Sequence, residues 1–146
     1  MNEQEIRAAV VEEAKTWLGT RYHHHANIKG GGVDCAMILV EVFSKAGVIE
    51  WFDPRPYPTD WMLHKNEEKY LSFVLPHARE ITRPNVKPGD IALYRFGRTF
   101  SHSAIIIDWP MAIHAYIMEK AVVWTDLTKH PLNSRPVRYF NVIGAK

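Results

Sequence analysis

Cys35 is the only cysteine in the chain, and it directly follows a glycine-rich loop that ends in Asp34. A long apolar run begins after it, which predicts that Cys35 opens a helix. A helix N-terminus carries unpaired amide hydrogens and a partial positive charge, and both favour the thiolate. The placement therefore predicts a cysteine nucleophile. The alternative is a small buried core residue, but glycines at 30–32 favour function, because they indicate close approach by a ligand or another chain.

Two histidines far downstream can serve this thiol as base and orienting partner. His102 and His114 lie in short apolar segments on either side of 108–110, a stretch that reads Asp-Trp-Pro. A hairpin centred on residue 108 would place the two rings opposite each other on adjacent strands. One histidine would take the thiol proton and hold an imidazolium–thiolate pair. Each histidine alone would more often be a buried core residue. A functional role is favoured because the two are placed symmetrically about residue 108.

The elements that must position these residues begin with helices. Asn2 and Glu5 fit a capping box at the start of a first helix. A second helix is predicted to begin near Asp34, which can cap it, and to end at Gly47. A third is predicted over 60–74. The nucleophile is thus expected at the start of the second helix, and the amide hydrogens there could also donate to an oxyanion.

Strands follow the helices. After residue 90 the chain turns to short segments rich in β-branched and aromatic residues, separated by turn signals. The predicted strands are 91–94, 103–107, 112–118, 121–125 and 137–142. Helices gathered before strands predict an α+β domain, with N-terminal helices packed on a C-terminal antiparallel sheet.

Composition limits the other possibilities. The 146 residues suit a single domain over 1–146, and a net charge of +2 without a basic run argues against nucleic-acid binding. No apolar run is long enough to span a membrane and no signal peptide is visible, so we expect synthesis in the cytoplasm. One cysteine cannot form an intrachain disulfide or a paired-cysteine metal site. The adjacent His23, His24 and His25 are expected to form a polar rim beside the cleft rather than a metal site.

Five motifs, in order along the chain, resemble the landmarks of the NlpC-type cell-wall cysteine peptidases. They are Gly19-Thr20-Arg21-Tyr22, Gly32-Val33-Asp34-Cys35, Lys87-Pro88-Gly89-Asp90-Ile91, Ser101-His102-Ser103-Ala104-Ile105 and Ile113-His114-Ala115. The resemblance covers residues 4–118 and is strongest to the small versions found with phage tails. It implies a papain-like α+β fold of NlpC type, in which about 50–80 is a family-variable insertion.

The same resemblance implies residue roles. The catalytic set would be Cys35 as nucleophile, His102 as general base, His114 as orienting residue and Tyr22 as a hydroxyl that helps to stabilise the oxyanion. Substrate contacts are expected from Asp34, Ser101, Ser103 and His25. No metal or organic cofactor is implied.

The resemblance also implies a substrate, the peptide stems of peptidoglycan, cut at an amide bond that often follows γ-D-glutamate. A virion or prophage tail component acting at the cell wall, with other tail proteins as partners, is the expected setting. Where the family usually has Ser-Gly after the cysteine, this chain has Ala36 and Met37, and Ser103 replaces an apolar residue. These departures bear on substrate preference. The alternatives are an acyltransferase or amidase on the same scaffold, and a catalytically silent tail-structural protein.

Overall fold

The computed structural model describes residues 2–55 and 75–144. This part of the chain contains two α-helices, α1 (Glu3–Thr16) and α2 (Cys35–Lys45). Its strands are β1 (Asn27–Ile28), β2 (Gly32–Val33), β3 (Arg79–Ile81), β4 (Ile91–Phe96), β5 (Thr99–Asp108), β6 (Met111–Tyr116), β7 (Ala121–Asp126) and β8 (Val137–Asn141). None of the helices within these residues is long and apolar enough to cross a bilayer.

Both predicted helix starts are confirmed. The Asn2 side chain accepts a hydrogen bond from the Glu5 amide at 2.8 Å and caps α1. Asp34 caps α2, which stops at Lys45, shortly before Gly47 takes a φ of +79°. The predicted third helix over 60–74 lies outside the described residues.

Six strands form one antiparallel sheet in the order β3-β8-β4-β5-β6-β7. The five predicted strands correspond to β4 through β8, with ends shifted by up to four residues. The three-residue edge strand β3, which carries Arg79 and Glu80, was not predicted, because it has neither an apolar run nor a buried alternation. The β1–β2 hairpin, whose strands are two residues long, was not predicted either.

The sheet is buried on both faces. Alternate residues point to opposite sides of a strand, so one set packs with the helices: Ile91, Leu93, Ile105, Ile113 and Ala115. The other set is Ala92, Tyr94, Ala104, Ile106 and Ala112. Leu127 and Leu132, from the segment between β7 and β8, cover this second set. The predicted α+β architecture, with helices on an antiparallel sheet, is confirmed.

A buried ion pair joins α1 to the start of β4. Arg7 Nη1 lies 2.9 Å from Asp90 Oδ1 and also donates to the carbonyl oxygen of Pro88 at 2.9 Å. The second carboxylate oxygen of Asp90 accepts from the Lys87 amide at 2.8 Å. Burial raises the pKa of Asp90 against the opposing effect of these contacts. The pair fixes the helix layer relative to the central strands.

Candidate active site

Asp34 determines where Cys35 sits. Its Oδ1 atom accepts from the amides of Ala36 and Met37 at 3.2 and 2.9 Å, which makes Cys35 the first residue of α2. Its Oδ2 atom accepts from the His25 amide at 2.7 Å and ties the preceding loop to the helix. The first-turn amides of Ala36 and Met37 therefore serve the cap in the resting protein, and oxyanion binding at this helix start stays a prediction.

The glycine run before Cys35 packs against the protein itself. Gly30 has a φ of +78° in the β1–β2 turn, a conformation that glycine adopts without strain. A Cβ atom on Gly32 would lie 3.0 Å from the Cβ of His23. These glycines allow the hairpin to fold tightly onto the chain that leads into α2. Packing within the chain accounts for these glycines, and close approach by a ligand or another chain stays a prediction.

The two residues beside His102 both contact Cys35. The Cys35 thiol donates to the carbonyl oxygen of Ser101 at 3.6 Å, and the Ser103 hydroxyl donates to the carbonyl oxygen of Cys35 at 3.3 Å. The start of α2 is therefore seated against the start of β5. Residues 66 positions apart in sequence thus meet at the place that the motifs indicated.

Tyr22 lies against the same cysteine. Its hydroxyl makes hydrogen bonds with both the side chain and the backbone of Cys35. Burial, the charge of a Cys35 thiolate and the Asp34 carboxylate raise the pKa of Tyr22 far above its ordinary value. The phenol therefore keeps its proton at neutral pH and can donate it in a hydrogen bond.

His102 and His114 form a buried hydrogen-bonded pair. His102 Nε2 lies 2.7 Å from His114 Nδ1, and the two side chains share one face of the sheet, as predicted. They are not directly opposite. Ile105 pairs with Ile113, which puts Ala104 across from His114 and makes the histidines diagonal neighbours. Direct opposition is wrong because the hairpin turns later than predicted and a β-bulge precedes the turn.

The environment of the pair favours neutral rings. Burial lowers the pKa of His114 to about 4. Burial, His114 and the charge of Arg135 lower the pKa of His102 well below its usual range. These effects favour neutral imidazoles in the resting protein. The predicted imidazolium–thiolate pair with Cys35 stays a prediction.

Aromatic rings enclose the histidine pair. The His102 ring centroid is 5.3 Å from those of Phe96 and Tyr116, and Tyr116 stacks on His114 at 4.8 Å. These rings were not among the predicted site residues. Tyr116 stands two residues after His114 on one strand, so the period of two could have placed it on the same face. Phe96 and Arg135 carry no sequence signal that could have found them.

The predicted substrate contacts occupy different environments. Asp34 and Ser103 are each 1% exposed and already hold the α2 start, through the bonds given above. Ser101 is partly exposed, and its carbonyl accepts from the thiol. The His25 amide is bound by Asp34, and its ring stacks on that of His24 at 3.7 Å. Substrate contact by these four residues stays a prediction.

The three adjacent histidines lie in the loop before the β1–β2 hairpin. His23 bonds to the carbonyl of His24, and His24 Nδ1 is 3.8 Å from Asp34 Oδ2. Within 2–55 and 75–144, no three His, Cys, Asp or Glu side chains come together in a way that could hold a metal ion.

No family model and no curated protein matches the chain in sequence. Solved structures do match in fold. NlpC1 from Trichomonas vaginalis superposes with a TM-score of 0.67 at 18% identity over 94% of this chain. The chain spans 44% of the length of that protein.

Two domain-sized structures match over nearly their whole length. The NlpC/p60 domain of the peptidoglycan hydrolase SagA gives a TM-score of 0.61 at 18% identity, covering 90% of this chain and 96% of the other. RipD from Mycobacterium tuberculosis, a non-catalytic NlpC/p60 protein with a peptidoglycan-binding function, gives 0.60 at 11% identity, covering 94% and 97%. The chain therefore has the fold of the NlpC/p60 domains, with two helices and a six-stranded antiparallel sheet among its described residues.

Proposed function

We propose that the protein is a cysteine peptidase that hydrolyses an amide bond in peptidoglycan stem peptides. The observation that carries the proposal is the buried His102–His114 bond on the strand whose neighbouring residues contact Cys35. A thiol, a base and an orienting group are the components of nucleophilic acyl transfer. The fold shared with the SagA peptidoglycan hydrolase domain supports the substrate class.

The first step needs a base with a free nitrogen. His102 Nε2 is engaged by His114, which leaves Nδ1 to accept a proton. The Cys35 sulfur attacks the amide carbonyl and forms a C–S bond while its proton moves to His102. Throughout this step, the N–H group at His102 Nε2 donates to the unprotonated Nδ1 of His114. The neutral state favoured by burial is the state in which His102 can act as this base.

The oxyanion forms next to Tyr22. The phenol remains protonated, so its hydroxyl can turn from Cys35 to the negatively charged oxygen. Collapse of the tetrahedral intermediate breaks the C–N bond, and the imidazolium of His102 gives its proton to the leaving amine. Water then attacks the acyl-enzyme with His102 again as base, which releases the carboxylic acid and restores the thiol.

The cellular setting is part of the proposal. A virion or prophage tail component that meets the cell wall, alongside other tail proteins, is supported by the resemblance of the motifs to the small phage-associated versions. Mass spectrometry of purified virions from a lysogen that carries the gene would detect the protein in tails. Its presence only in the host cytoplasm would contradict this setting.

Purified protein incubated with defined muropeptides, followed by mass spectrometry, tests the reaction. We expect a cleaved stem peptide with wild-type protein and none with Cys35→Ser. Products that carry an added amine instead of water would favour an acyltransferase. Retention on insoluble peptidoglycan without any cleavage would favour a silent binding protein, the condition of RipD.

A further inference from the structure

Arg135 contacts Phe96, a ring that in turn contacts His102 two strands away. It precedes β8, and β8 pairs with β4, which pairs with β5 at the end where His102 lies. The Arg135 guanidinium carbon stands 3.7 Å above the Phe96 ring, and the same ring meets His102 edge-on. A hydrogen bond of 3.1 Å from the Arg135 amide to Leu132 fixes the backbone at this point. The guanidinium is therefore held close to the proposed base.

No carboxylate pairs with Arg135 among the residues that the structure describes. Arg7 and Arg138, in contrast, both face carboxylates, at 2.9 and 2.7 Å. Arg135 is half-buried, and its contact with Phe96 leaves the five N–H groups at the guanidinium edge for another acceptor. A planar fork of donors with no acidic partner suits a carboxylate ligand.

A bare positive charge at this position opposes the proposed reaction. His102 must become an imidazolium, and the charge of Arg135 acts against that change. A bound carboxylate would cancel the charge at the moment when the substrate is in place. Binding of an acidic substrate would therefore raise the basicity of His102.

We propose that Arg135 binds a carboxylate of the substrate beside the scissile amide, and so selects stem peptides that are acidic at that position. This inference rests on the proposed function and adds a specificity-determining residue to it. The α-carboxylate of γ-linked D-glutamate is the group we assign, because it adjoins the amide that we expect to be cut.

A matched pair of muropeptides tests the assignment. One carries D-glutamate with a free α-carboxylate, and the other carries the α-carboxamide. We expect wild-type protein to prefer the acid in kcat/KM by about 10- to 100-fold, the usual size of a charge-assisted hydrogen bond. Arg135→Gln should remove this preference, because activity on the acid falls with the lost carboxylate contact and activity on the carboxamide rises with the lost opposing charge. Arg135→Lys should retain part of the preference.

Arg83→Gln is the matched control. Arg83 stacks on Trp109 at 3.5 Å and undergoes the same change of charge, but it has no contact with His102 or Phe96 among the described residues. This variant should keep the wild-type preference. Equal activity of wild-type protein on both peptides, or an undiminished preference in a folded Arg135→Gln protein, would overturn the inference and leave the proposed function intact. Absence of cleavage of either peptide would instead count against the proposed function, and the peptides immobilised on a binding sensor would still report whether Arg135 selects the acid.

Discussion

His102 Nε2 and His114 Nδ1 lie 2.7 Å apart, so the proposed base is oriented by a second imidazole. Because burial holds the pKa of His114 near 4, this partner is neutral at pH 7 and offers one lone pair and no charge. It can fix the tautomer of His102, but it stabilises an imidazolium less than a carboxylate would. The orientation of the ring is therefore its main contribution.

Substitution of His114 should reduce turnover without preventing folding. We expect His114→Ala to lower kcat by about 10- to 100-fold, a part of the 10²–10⁴ that a general base contributes. His114→Asn can still present an acceptor oxygen to His102 Nε2 and should recover much of that loss. Steady-state kinetics on a muropeptide, with melting temperatures as the check on folding, would measure both. An alanine variant with wild-type kcat would show that His114 does not orient the base.

The histidine pair also makes stability depend on pH. Both rings have folded-state pKa values below 6.5, so the unfolded chain binds protons first as the pH falls. The stabilisation is present above pH 6.5 and is lost as the pH falls towards the folded pKa. With a folded pKa of about 4, His114 alone should cost about 2 kcal/mol between pH 7 and pH 5.

Urea denaturation at the two pH values measures this loss. His114→Asn removes one of the two titrating rings, so the loss in this variant should shrink by about 2 kcal/mol. An equal loss in both proteins would show that His114 is not buried in its neutral form.

Arg7 should matter far more than a surface partner. Arg7→Met leaves the buried Asp90 carboxylate without its cation, and removing one member of such a pair costs about 3–5 kcal/mol. Lys15→Ala breaks an exposed pair of 3.5 Å on the same helix and should cost about 0.5 kcal/mol or less. Chemical denaturation of the two variants gives the comparison.

The loss in Arg7→Met should also depend on pH. Burial raises the pKa of Asp90, and a raised carboxyl pKa favours the folded state below about pH 3.8 and loses that effect as the pH rises through the folded value. The variant should therefore be closer to wild type at pH 4 than at pH 7. The opposite order would mean that Asp90 ionises easily without Arg7.

Local signals predicted much of the fold. A cap is decided within four residues, so Asn2 and Asp34 located both helix starts. Strand existence followed from local apolar composition. The register of the β5–β6 hairpin did not follow from local composition. A single bulge and a displaced turn shift the strand pairing of His102, while its side chain stays on the same face of the sheet.

The candidate site was likewise predictable only in part. The spacing of His102 and His114 was sufficient to bring them together, since neighbouring strands tolerate a small shift. The position of Arg135 near His102 could not be predicted from the sequence, because Arg135 belongs to no motif. It is brought there by the pairing of β8 with β4. The occupation of the α2 amides by Asp34 was likewise missed, although the cap itself was predicted.

Tyr22 gives the sharpest test of the oxyanion site. Its protonated hydroxyl touches Cys35 in the resting protein, and the proposed role is realised only when the carbonyl oxygen becomes negative. Tyr22→Phe should therefore lower kcat by about 100-fold and leave KM nearly unchanged, because a donor that acts in the transition state alone does not bind the ground state. Tyr139→Phe removes the hydroxyl of a ring that packs on Trp109 on the second face of the sheet, and it should leave both constants unchanged. An increase in KM at constant kcat in Tyr22→Phe would make this tyrosine a substrate-binding residue instead.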